Sequence, residues 1–116
     1  MPRDLRKYFY DIDQACQLLV EFTSGKTLHD YQADAMLRSA VERQFEIIGE
    51  ALNQALRTEP SLDEKISHSA RIVGFRNQLI HGYASISDEV VWGVLETYLP
   101  VLHREVSALL NNSEPV

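Results

Sequence analysis

The sequence predicts an all-α protein, an up-and-down four-helix bundle with a kink or break near Pro100. Three observations carry that prediction. Apolar residues recur at steps of three and four along four segments, no segment alternates apolar and polar residues between turn signals, and the joints are short. The chain has 116 residues, 45% of them hydrophobic and 24% charged, an ordinary globular mix that closes one core. Residues 1–111 are therefore read as a single helical domain and residues 112–116 as a frayed tail.

Leu5, Tyr8, Phe9, Ile12, Ala15, Cys16, Leu19 and Phe22 form the apolar stripe of a first helix over roughly residues 3–23, which stops at Ser24-Gly25. Thr27 and Asp30 have the spacing of a capping box with the shorter acid. Beyond it Leu37, Val41, Phe45, Ile48, Leu52 and Leu56 predict one long helix from about residue 29 to the turn Thr58-Glu59-Pro60-Ser61. Gly49 lies in its middle, where glycine costs about 1 kcal/mol relative to alanine, and so points to a close helix crossing. The crossing partner is either the third helix, where Gly74 is another small residue, or a second copy of the chain.

The third helix is expected from Ser67 to His81, with Ala70, Val73 and Leu79 or Ile80 facing inward and Gly82 ending it in the left-handed conformation. Ala84-Ser85-Ile86 links it to the fourth. There Ser87 suits the N-cap, Asp88 and Glu89 suit the positive end of the helix dipole, and Val91, Leu95, Tyr98, Leu102, Val106 and Leu109 form the buried stripe. Pro100 within this pattern either kinks the helix or restarts it with Pro100 in the first turn.

The first residues carry charges throughout their apolar stretch, so they make neither a signal peptide nor a membrane span, and a cytoplasmic protein is expected. Cys16 is the single cysteine and lies on the apolar stripe, which suits a small core residue better than a nucleophile. Without secretion, Asn111-Asn112-Ser113 is an accidental glycosylation pattern. A net charge of −6 argues against a protein that coats nucleic acid non-specifically. Yet no Asp or Glu occurs from Lys65 to Ser87, while Lys65, His68, Arg71, Arg76 and His81 do. That segment is either a place for an anion to approach or a chance spacing of acids.

Chemistry concentrates in Arg76-Asn77-Gln78-Leu79-Ile80-His81-Gly82-Tyr83. On a helix Asn77 and His81 share a face one turn apart, whereas Arg76 and His81 diverge by about 140°. Histidine exchanges protons near neutral pH and arginine offers a phosphate a fork of hydrogen bonds, a pair suited to phosphodiester cleavage. When the RNA 2′-hydroxyl attacks its own phosphate, the protein need only move protons and stabilise negative charge. The same residues also have structural readings: a histidine near a helix C-terminus suits the dipole, and Tyr83 can simply cover the helix end. His29, His68 and His103 lack carboxylate or cysteine partners at metal-ligand spacing and are read as surface residues; no metal site and no cofactor are expected. Glu46 and Glu50, one turn apart, are read as a salt-bridged face, with Arg43 or a neighbouring helix, rather than as a catalytic pair.

Arg76, four residues, His81, one residue and Tyr83 resembles the signature of the HEPN superfamily, specifically its HepT-like branch. The resemblance extends to Glu46-Ile47-Ile48-Gly49-Glu50-Ala51, to Gly74-Phe75-Arg76-Asn77, and to Val91-Trp92 followed by Leu99-Pro100, covering the chain from Leu5 to about Leu110. Ser67-His68-Ser69 departs from it by lacking the Trp that members often carry before the motif helix. The resemblance implies a homodimeric, metal-independent endoribonuclease toxin, with the motif helices of both subunits lining one cleft. By matching position Arg76 would stabilise the scissile phosphate, His81 would handle the proton and Asn77 would orient the site. It further implies an antitoxin partner, a minimal nucleotidyltransferase of the MNT type, that silences the toxin by transferring AMP to Tyr83. The alternative is a non-catalytic helical adaptor that binds such a nucleotidyltransferase, and a nucleotide, through the same cleft.

Overall fold

The apolar stripes become helices in the computed structural model, which describes residues 3–82 and 86–112. Among the described residues there are six α-helices, one 3-10 helix and no strand. The all-helical class is as expected; four predicted rods become six helices because the fourth is divided at the break expected near Pro100 and the second is divided where no break was expected.

Helix α1, Arg3–Thr23, buries Leu5, Phe9, Ile12, Cys16 and Leu19 and stops before Gly25, whose φ of +72° is left-handed. The capping box then forms: the Thr27 hydroxyl accepts from the Asp30 N–H at 3.2 Å, and the Asp30 carboxylate accepts from the Thr27 N–H at 2.9 Å. Those bonds hold the Asp30 carboxyl below its usual range. Helix α2, Leu28–Ala33, runs for only 6 residues. The long second rod is broken at Asp34, whose backbone is extended and whose carboxylate accepts from the Leu37 N–H at 3.1 Å to cap α3, Ala35–Thr58. An aspartate capping a new helix prevails here over continuation of the old one. Arg38 stabilises the break by donating to the carbonyls of Tyr31 and Gln32 at the end of α2.

Pro60–Glu64 forms a 3-10 turn where a polar turn was expected, and Leu62 and Ile66 are buried there. Helix α4, Ser69–His81, begins two residues later than the spacing suggested, because the Ser67 N–H and hydroxyl both donate to the Glu105 carboxylate. Its buried face also differs from the prediction. Ser69, Ile72 and Phe75 are buried and Val73 and Leu79 are half-buried, while Ala70 is exposed and Ile80 is 46% exposed. The Ser69 hydroxyl donating to Asp63 at 2.7 Å and the Phe75 ring edge-on to Phe45 at 5.3 Å fix this rotation. Gly82, at φ +60°, closes α4 through its N–H to the Gln78 carbonyl.

Helix α5, Asp88–Thr97, is capped by the Ser87 hydroxyl. Of the two outcomes open at Pro100 the chain takes the restart: α6, Leu99–Asn112, carries Pro100 in its first turn. Asn112, assigned to the frayed tail, closes that helix instead. Helix α3 packs against α1 on one side and α4 on the other, α1 also packs on α6, and α5 rests on α2 and α6. The core runs between them from Phe9 and Ile12 through Val41, Ile48 and Leu52 to Leu102 and Val106. No helix among the described residues is long and apolar enough to cross a membrane.

Cys16 is fully buried, and burial, with Asp13 adding repulsion, pushes its thiol up to about 12. Alkylation with iodoacetamide at mildly alkaline pH should therefore be slower in the native protein than in denaturant by on the order of a hundredfold or more. Equal rates in the two states would mean that this face of α1 is not in the core.

Candidate functional site

Helix α4 is brought to α3 by a missing side chain. A Cβ on Gly49 would stand 2.1 Å from the Cβ of Arg76 and 2.5 Å from its Cγ, so α3 and α4 cross where only glycine fits. The crossing is thus between α3 and α4, and Arg76 rather than Gly74 fills it; nothing lies within 4 Å of where a Gly74 Cβ would be. The root of the arginine is pinned against the backbone of α3 and its head reaches the next residue along.

The Arg76 Nη2 donates to the Glu50 carboxylate, and Nη1 donates to the Asn77 Oδ1 at 2.8 Å. Only 20% of the Arg76 side chain is exposed, against 47% for Glu50, so the ion pair sits at the edge of solvent rather than in it. The Arg76 Nε is buried and has no hydrogen-bond partner. The Glu50 carboxylate also accepts from Gln54 Nε2 at 3.2 Å, which extends the chain of bonds to Gln54, Glu50, Arg76 and Asn77. Beside it lies a cleft of about 300 Å³ whose walls include Tyr8 of α1, Arg43, Ile47 and Glu50 of α3, and Arg76 and Ile80 of α4.

The structure therefore brings Arg76 and Asn77 together and leaves His81 exposed at the C-terminal end of α4. Tyr83, the expected AMP acceptor, lies outside the described residues. Glu46 pairs with Arg43 at 3.3 Å and Glu50 with the neighbouring helix, in agreement with a salt-bridged face. Glu42, one turn further back, is less well served: burial pushes its carboxyl up, and repulsion from Glu46 and Asp88 adds to that against the opposing pull of Arg38. His29 and His68 are exposed as predicted. His103 is not a partnerless surface residue, because its Nε2 lies 3.2 Å from the carboxylate of Asp13, a buried acid that also accepts from Ser107 at 2.7 Å and Gln17 at 2.8 Å. Two helices distant in sequence supply this cluster, and spacing along the chain cannot reveal it. Among the described residues no group of His, Cys, Asp and Glu side chains is arranged to hold a metal ion.

The family model described as "Ribonuclease HepT-like" matches residues 12–109. The chain belongs to that family. Similar proteins include "Putative RNase MJ1380" of Methanocaldococcus jannaschii, 33% identical over 90% of this chain and 94% of that protein. "Probable ribonuclease HepT" of Thermococcus cleftensis is 31% identical over 94% of this chain and 98% of its own length. "Putative RNase TTE0752" of Caldanaerobacter subterraneus subsp. tengcongensis is 29% identical over 94% and 96% respectively. No solved structure matches the chain. In this HepT-like protein the motif arginine is thus a side chain anchored at both ends, by Gly49 below and by Glu50 and Asn77 above.

Gly49→Ala tests the crossing. Alanine improves helix propensity by about 1 kcal/mol, but pushing α3 and α4 apart costs about 3 kcal/mol, the upper end for overpacking, because the collision is with a Cβ, for a net destabilisation of about 2 kcal/mol in urea unfolding. A neutral or stabilised variant would mean that the two helices do not meet at this point.

Proposed function

We propose that this HepT-like chain is a metal-independent endoribonuclease and the toxin of a toxin–antitoxin pair of the HepT/MNT type. It is cytoplasmic, a single HEPN domain, and works as a homodimer. In this reading α2 leads into α3, and α5 with α6 makes one rod, so the six helices follow a four-helix plan. The observation that carries the reading is the held guanidinium: Arg76 is mostly buried, fixed by Glu50 and Asn77, and stands on the wall of a cleft. The names of the relatives, which are those of ribonucleases, support it.

The chemistry needs only the RNA and these side chains. The 2′-oxygen attacks the adjacent phosphorus as the bond to the 5′-oxygen breaks, leaving a 2′,3′-cyclic phosphate and a 5′-hydroxyl. His81 handles the proton that leaves the 2′-hydroxyl or reaches the departing 5′-oxygen. Arg76 stabilises the extra negative charge on the phosphate as it forms, and Asn77 keeps the guanidinium turned towards it. A second subunit supplies the second motif helix of the cleft. The antitoxin, a minimal nucleotidyltransferase, transfers AMP from ATP to the Tyr83 hydroxyl oxygen with release of pyrophosphate and the phenol proton, two residues past His81, and the added negative charge opposes RNA binding.

Purified protein is incubated with mixed tRNA and messenger RNA in EDTA. Cleavage to cyclic-phosphate ends is expected, falling by about 10²–10⁴ in His81→Ala and by about 10²–10³ in Arg76→Ala. No cleavage by protein whose mass shows no AMP would overturn the nuclease and favour an adaptor that binds the nucleotidyltransferase.

A further inference from the structure

Arg76 does not meet solvent as an open hand. Each terminal nitrogen of its guanidinium has two hydrogens, and one from each is engaged inside the protein, Nη2 by Glu50 and Nη1 by Asn77. The remaining pair is the fork available to a phosphate. Which way that fork points is decided by the two acceptors, because Nε has no partner of its own and the Gly49 crossing fixes only the base of the side chain.

Of the two acceptors, Asn77 is the weaker guide, since it lies on the same helix as Arg76 and, among the described residues, its side chain is tied only to it. Glu50 is anchored from elsewhere. It rises from α3 immediately after the glycine that admits Arg76, and Gln54, one turn on, donates to its carboxylate. Its charge also acts against the substrate, because a carboxylate beside the guanidinium repels a phosphate that would otherwise bind tightly in the ground state. The same residue therefore sharpens the aim of Arg76 and lowers its unspecific grip on RNA, the combination that favours the transition state over the substrate.

We propose that Glu50 is the positioning residue of the candidate site, orienting the Arg76 guanidinium towards the scissile phosphate across the α3–α4 crossing. The inference rests on the ribonuclease reading above. It predicts a division of kinetic effects that an ordinary interhelical ion pair does not produce. Loss of Glu50 lowers kcat and leaves KM for RNA unchanged or lower, because the arginine keeps its charge and loses its direction.

Steady-state cleavage of a defined RNA in EDTA is measured for the wild type, Glu50→Ala, Glu50→Gln and Glu50→Met, each alone and combined with Arg76→Lys, with far-ultraviolet circular dichroism to confirm folding. In Glu50→Ala, kcat should fall by about 10–100-fold at equal or lower KM. Glu50→Gln keeps an acceptor for Nη2 and should recover most of that loss, whereas Glu50→Met, of similar length and without an acceptor, should show the same fall in kcat and serves as the test should the alanine variant fail to fold. Arg76→Lys has no fork to orient, so in that background each Glu50 substitution should leave kcat unchanged; losses that multiply would overturn the proposal. So would wild-type kcat in a folded Glu50→Ala protein, or a raised KM with kcat intact, which would place Glu50 against the RNA itself. A wild type that does not cleave overturns the ribonuclease reading and the positioning role together, whereas a cleaving wild type with an indifferent Glu50 overturns the positioning role alone.

Discussion

The contact between the backbone of Gly49 and the Cβ of Arg76 governs much of what surrounds it. Because α3 carries no side chain at that point, α4 can lie close against it, and the rotation that buries Ile72 and Phe75 is the one that turns Arg76 into the seam. Burying an arginine stem is inexpensive, but burying its head is not unless an acceptor meets it. Glu50 provides that acceptor because it is the residue next to the glycine. Packing and chemistry are thus set by one pair of adjacent positions on α3 and one on α4.

The charge pattern becomes intelligible on the same geometry. Glu42, Glu46 and Glu50 follow one another at one-turn intervals on α3, and such a series repels itself unless cations are interleaved. Arg43 relieves the middle member and Arg76 the last, from a helix that has no acid of its own. Glu42 has its carboxyl pushed up first by burial and then by the neighbouring charges of Glu46 and Asp88, with Arg38 only partly opposing them. The acid-free stretch from Lys65 to Ser87 is therefore partly a complement to α3, and only what remains unsatisfied at its surface is open to an external anion.

Most of the helices were legible because their stripes are strong: α1 and α3 bury nearly the residues their periodicity named. The break at Asp34 was not, since an aspartate within a polar stretch reads equally as a helix surface and as a cap, and only its bond to Leu37 decides. Helix α4 was legible only in part because apolar residues lie on several of its faces: Val73 and Leu79 pack against the core as expected, Ala70 does not, and Ile72 and Phe75, which are buried, were not named. Of the candidate site, the motif was legible and Glu50 only half so: an interhelical partner was foreseen for it, but not that the partner would be Arg76. The bond from His103 to Asp13 joins α6 to α1, and local spacing carries no trace of such a pairing.

The Gly49 crossing also binds two positions together through descent. While residue 76 is an arginine rooted in the seam, any side chain at position 49 meets its Cβ and Cγ, so mutation at 49 is punished whatever its chemistry. Replacing the arginine by a longer or branched side chain keeps that barrier, because the collision begins at Cβ, which every residue but glycine possesses. A lineage that abandons the arginine's chemistry therefore does not regain freedom at position 49 by that loss alone. Gly49 thus answers to the closeness of the two helices and not to the chemistry of residue 76.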